Sequence, residues 1–152
     1  MGEVARIHDQ LVRAYRGEAW HGAPVRDLVD GVNAEQAAHK ILPHTHTIWE
    51  IVLHISAWQR AVLARLQGRE MQLTPDADWP PVPDPIEPGW SAALAELEET
   101  HRRLADAVAA LDDASLERVV PGKQYSVYFM LHGVIQHDLY HAGQIAVLRK
   151  EV

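Results

Sequence analysis

Apolar residues recur at three- and four-residue intervals in four segments of the chain, the period of a helix that buries one face. The first segment spans about residues 3–16, with Val4, Ile7, Leu11 and Ala14 or Tyr15 on one stripe and Gly17 as a stop signal. The second spans about 47–67 and ends at Gly68. Its opening, Thr47-Ile48-Trp49-Glu50, has the form of a capping box, in which Thr47 accepts from first-turn amides and Glu50 reaches back. The third spans about 90–111 through Leu94, Leu97, Leu104, Val108 and Leu111. The fourth spans about 126–149, with Ser126 as cap and Val127, Met130 or Leu131, Val134, Ile145 and Leu148 facing inward. Val127-Tyr128-Phe129 is strand-like in composition, but the long periodic run behind it decides for helix.

The connections are uneven. Residues 18–46 have room for a short helix from Pro24, since proline suits the first helical position, and for another near Ala34 to Ala38. Residues 69–89 hold Pro75, Pro80, Pro81, Pro83, Pro85 and Pro88, too many for a helix or a central strand. This stretch reads as a surface crossover and not a domain boundary, because neither half carries enough apolar stripe to fold alone. Residues 112–125 form a third loop. The expected fold is all-α: a single domain over 1–152, a four-helix bundle with long crossover loops.

Composition narrows the chemistry. A chain of 152 residues, 47% hydrophobic, buries enough apolar surface to fold without staples. It has no cysteine, which excludes disulfides, thiolate metal sites and a cysteine nucleophile of its own. A formal charge of −7 argues against nonspecific nucleic-acid or anionic-membrane binding, both of which require a basic face. No apolar run reaches the roughly 18 residues that cross a bilayer. The opening Met1-Gly2-Glu3-Val4-Ala5-Arg6 lacks a signal peptide's apolar core, and Arg6 breaks the myristoylation pattern. The expectation is a soluble cytoplasmic protein. Of the five tryptophans, Trp58 is expected in the core; Trp20, Trp49, Trp79 and Trp90 include candidates for interface anchors.

Ten histidines stand out. His137 and His141 are four apart on the inward stripe of the fourth segment, a spacing that brings two imidazoles to one face with Cβ atoms about 5–6 Å apart. Two neutral imidazoles side by side fill a core poorly, and a metal ion satisfies both. A third ligand has to come from another helix, and His54, flanked by Leu53 and Ile55 between Ile51 and Trp58, lies on the inner stripe of the second. Asp138 faces away from the pair and is a poor general base, but three residues before His141 it can accept that ring's second N–H. Glu50 could support His54, although its cap role competes. His101 reads as a core or boundary histidine; His44 and His46 lie where they could flank the mouth of a site; His132 lies off the ligand face. Glu98-x-x-His101 matches half of a di-iron signature, but the fourth helix offers no glutamate between Ser126 and Lys150, so a di-iron centre is rejected.

The second helix, Thr47-Ile48-Trp49-Glu50-Ile51-Val52-Leu53-His54 with Trp58 behind it, and the fourth, from Leu131 through His137-Asp138-Leu139-Tyr140-His141-Ala142-Gly143-Gln144-Ile145, resemble the DinB/YfiT-like superfamily over nearly the whole chain. The resemblance implies a four-helix bundle with up-down-down-up connections, often a homodimer. It also implies a metal held by one histidine of the second helix and two of the fourth, which on matching positions are His54, His137 and His141. Gly143 would permit close helix packing and Gln144 would line the site. Relatives of this type include bacillithiol- and mycothiol-dependent transferases and a thiol-dependent isomerase; others are described only as metal-dependent hydrolases.

Three imidazoles leave a divalent ion with open positions, as in catalytic zinc sites. Such an ion can acidify water toward a pKa of about 7 or bind a thiol as its thiolate. With no cysteine in the chain, that thiol has to be a small cosubstrate. The leading expectation is an enzyme that activates a low-molecular-weight thiol for S-transfer to an electrophile, with Glu50, Asp138 and Gln144 as supporting groups. Alternatives are hydrolysis by a metal-bound hydroxide and a non-catalytic metal or small-ligand binder. Imidazole ligands suit zinc, nickel or iron alike.

Overall fold

The computed structural model describes residues 2–152. Seven α-helices follow one another: α1 Glu3–Tyr15, α2 Val25–Val29, α3 Ala34–Ala38, α4 Ile48–Leu66, α5 Pro75–Asp78, α6 Glu87–Ala109 and α7 Val127–Leu148. Two 3₁₀ turns, Asp113–Glu117 and Arg149–Glu151, complete the regular structure, and the described residues form no strand. The long helices α1, α4, α6 and α7 are the four expected segments.

Their starts follow local chemistry. Thr47 accepts from the Glu50 amide at 3.1 Å while the Glu50 carboxylate accepts from the Thr47 amide at 2.7 Å, completing the capping box of α4. Asn33 and Gln36 build a second such box on α3, and Ser126 caps α7 through the Phe129 amide. Two boundaries differ from expectation. The third long helix begins at Glu87, so Pro88 belongs to its first turn, where a missing N–H costs no hydrogen bond. The Pro-rich crossover, expected to be free of helix, contains the single turn α5: Thr74 caps it and Pro75 occupies a first-turn position for the same reason.

The core divides into two apolar clusters, and their membership gives the topology. One cluster joins Tyr15 at the end of α1, Ile48 to Ile55 at the start of α4, Trp90 to Leu97 at the start of α6 and Ala142 to Leu148 at the end of α7. The other joins the start of α1, Val62 and Leu63 late in α4, Leu104 to Val108 late in α6 and Val127 to Ile135 early in α7. Helices α1 and α7 therefore run one way and α4 and α6 the other: up-down-down-up.

Parallel neighbours need a return path. The chain from Gln67 to Ile86 has to travel back along the bundle, about 28 Å for a helix the length of α4. That return carries the prolines past the middle of the bundle.

Between the clusters lies a layer of buried polar side chains: Ser56 and Gln59 on α4, Thr100 and His101 on α6, Asp138 and His141 on α7. No helix among the described residues is long and apolar enough to cross a membrane.

A candidate metal centre between two helices

His54 from α4 and His137 and His141 from α7 meet in the plane of this polar layer. Each can offer a ring nitrogen, and the three nitrogens lie within 4.8 Å of one another. His54 Nε2 and His137 Nε2 are 3.0 Å apart. Nitrogens that share one ion at about 2.0–2.1 Å each can stand no more than about 4 Å apart, so this pair is already at ligand spacing.

The outer nitrogens fix the inner ones. His54 Nδ1 lies 2.6 Å from the Asp78 carbonyl oxygen, an acceptor only, so Nδ1 donates and Nε2 keeps its lone pair for the centre. His141 Nδ1 donates to Gln144 Oε1 at 2.6 Å, with the same result for its Nε2. Burial pushes His141 down to about 4 in spite of the Gln144 bond. Burial also lowers His54, helped by the neighbouring His137 and opposed by the Asp78 carbonyl. Both rings are neutral at pH 7, the form that binds metal. Two lone pairs turned toward each other in a dry site repel unless a proton or a cation lies between them. The donor set fits a divalent ion of the kind imidazoles hold.

The crossover supplies the cover. Trp79 stacks on the His54 ring at 3.7 Å and 6°, and His46 stacks on Trp79 at 3.5 Å and 6°. The order His46, Trp79, His54 puts His46 at the margin of the site, as its position before α4 suggested. Asp78 bonds His54 through its carbonyl and accepts from Trp58 Nε1 at 2.7 Å through its carboxylate. Trp58, expected in the core, is half-buried, with its ring 5.7 Å from His137.

The other expected site residues take different places. Asp138 is fully buried and does not face away: its Oδ2 accepts from Gln59 Nε2 at 2.7 Å, and its Oδ1 lies 3.6 Å from His137 Nδ1. Its neighbour is thus His137 and not His141, because Gln144 already holds the outer nitrogen of His141 while Gln59 draws the carboxylate toward α4. Burial raises the Asp138 pKa above the usual carboxylate range, against the pull of His137 and Gln59. Glu50 serves the cap and faces Lys40 at 3.6 Å and His46 at 3.4 Å; none of its partners is a ligand of the triad. Burial would raise its pKa, but the Thr47 amide, Lys40 and His46 hold it below the ordinary value.

Gly143 does not mediate close packing: a Cβ there would meet nothing within 4 Å, and the residue faces outward. His101 is buried in α6 against Tyr15. Sequence reasoning missed Asp78, Trp79 and Gln59. The one signal for the first two was a tryptophan stranded among prolines, where no core stripe accounts for it.

No curated protein matches the chain. The family model of the DinB superfamily matches residues 19–145, a span that contains all three histidines, α4, α6 and most of α7. A bundle of this topology, with a histidine triad at its centre and a match over most of its length, belongs to the DinB superfamily.

Proposed function

We propose that the chain is a metal-dependent enzyme that transfers a low-molecular-weight thiol to an electrophile, with His54, His137 and His141 holding one divalent ion. The observation that carries this reading is the set of converging imidazoles, two of them held neutral and aimed from behind by Asp78 and Gln144. A zinc, nickel or iron ion would supply a Lewis acid able to lower the pKa of a thiol, which has to arrive as a cosubstrate because the chain has no cysteine. The protein's share is positioning and drying: Asp78 and Gln144 orient the rings, while Trp58 and Trp79 keep water from their faces.

Thiol transfer ranks above hydrolysis on one ground. Hydrolysis benefits from a carboxylate base beside the open position, yet Glu50 is committed to its cap and Asp138 is packed behind His137. Thiol transfer needs only the lowered thiol pKa. The test offers metal-loaded protein a thiol such as cysteine or glutathione with an alkylating electrophile. Thiol-dependent product formation that disappears in His137→Ala is the expected result. Cleavage of an ester or amide without thiol dependence would move the assignment to hydrolysis, and no turnover of either kind would leave a binding protein.

We also assign a second copy of the chain to the outer face of α7. Leu42, Tyr140 and Val147 are exposed there around a depression of about 340 Å³. The homodimer implied by the sequence resemblance would cover this apolar face.

A further inference from the structure

Arg65 has no counter-charge among the described residues. It lies in the last turn of α4, is 5% exposed, and forms no ion pair among the described residues. A guanidinium stays charged at any physiological pH, and a buried charge is costly without a counter-charge. Partial relief comes from three neutral neighbours. Nε and one terminal nitrogen donate to the Met71 carbonyl at 3.0 and 2.7 Å, the other terminal nitrogen donates to Tyr125 Oη at 3.3 Å, and the Trp58 ring lies 5.6 Å away. Of five N–H donors, one on each terminal nitrogen is left over. These are charged donors with no partner among the described residues, and a carboxylate is the acceptor that suits them.

Arg65 lines a cavity of about 200 Å³ whose walls are mostly apolar, with Tyr125 and His137 as its other polar side chains. Trp58, Val62 and Arg65 give one wall at helical spacing along α4; Met130, Gly133 and His137 give the other, running antiparallel on α7. The Arg65 and Trp58 backbones are about 10 Å apart by helical rise. The guanidinium reaches back to 5.6 Å from the Trp58 ring, and the His137 ring lies 5.7 Å from that same ring. Trp58 is therefore shared by the Arg65 and His137 ends of the cavity. Phe129, exposed beside Tyr125, stands at the rim. The cavity is a slot with a cation at one end and a candidate metal ligand at the other.

We propose that this slot binds small carboxylates with an aromatic or alkyl body: the carboxylate on the Arg65 guanidinium, the body against Trp58, Val62 and Met130, and the far end at His137. As the electrophile's subsite it rests on the thiol-transfer reading; as a carboxylate site it does not. Recognition of the acid over its neutral amide follows from the unpaired charge.

Calorimetry with 4-phenylbutyrate and 4-phenylbutanamide tests the slot on protein loaded with zinc and on protein stripped by chelator. The acid is expected to bind at least about tenfold more tightly than the amide in both. Arg65→Met should abolish that preference. Because Arg65 also anchors Met71, a second variant leaves it untouched: a Cβ at Gly133 meets no atom within 4 Å, so Gly133→Leu projects into free space and should block the acid without loss of helix content or bound metal. Equal binding of acid and amide, or full affinity in Gly133→Leu, would overturn the proposal. So would a preference that vanishes with the metal, since the carboxylate would then sit on the ion. A preference that persists in protein that takes up no metal at all would support the slot while removing the metal-dependent reading.

Discussion

His101 is 1% exposed, with neither ring nitrogen hydrogen-bonded and its ring stacked 4.2 Å from Tyr15. Burial holds its pKa down at about 4, with Arg16 and His8 adding to the effect, against 6.5 for the free side chain. Between those two values the unfolded chain binds the proton and the folded chain does not, so stability is full above about pH 6.5 and falls as the pH drops toward 4. By pH 5 the loss from this one residue is about 2 kcal/mol. Denaturant titrations of the wild type and His101→Leu at pH 7 and 5 measure it: the variant should lose less stability on acidification, by roughly that amount. An equal loss in both proteins would mean that His101 finds a partner or a proton in the folded state. At the same scale, the legibility of the site is uneven. Its three histidines are readable because helical spacing and apolar flanks fix the direction of a side chain on a known face. Asp138 is misread because its neighbours depend on which side chains compete for it, and Gln59 and Gln144 settle that competition across and along helices.

Among the elements, the four long helices, both short helices of the first connection and the caps at Thr47 and Ser126 all follow from periodicity and local hydrogen-bond chemistry. Pro88 and α5 depart from the sequence reading for one shared reason: proline is excluded from helix interiors but not from first turns. What no local rule supplies is where a crossover lies. That Asp78 and Trp79 reach His54 follows from the parallel course of α4 and α6, a long-range property. Helix α7 carries its own message. It is apolar on more than its inner face, with Tyr140 and Val147 exposed at 67% and 63%. A helix apolar all round is ordinarily covered on every side. Sedimentation equilibrium should give twice the mass of the chain, and Val147→Glu, on the exposed face of α7 and not a member of the triad, should shift it toward one copy with helix content unchanged. A monomeric wild type would remove the second copy from this face.

At the scale of the whole molecule, an ion held by the triad would also act as a clasp. His54 and His137 are 83 residues apart in sequence and come from two different helices, α4 and α7, so the unfolded chain has no comparable site. Whatever binds only the folded form stabilises it by mass action, by about 2.7 kcal/mol at a free concentration 100 times the dissociation constant. For a chain of this length each kcal/mol moves the midpoint by roughly 2–4 °C, so saturating zinc or nickel should raise the thermal midpoint of chelator-treated protein by about 5–10 °C. His137→Ala should lose that shift, because two remaining imidazoles hold an ion far less tightly than three. Arg65→Met and Gly133→Leu should retain it, since neither residue is a ligand. Metal added to wild type without any change in midpoint would argue that the three rings share a proton and not an ion. The polar layer that divides the core would then serve to fix the register of the helices.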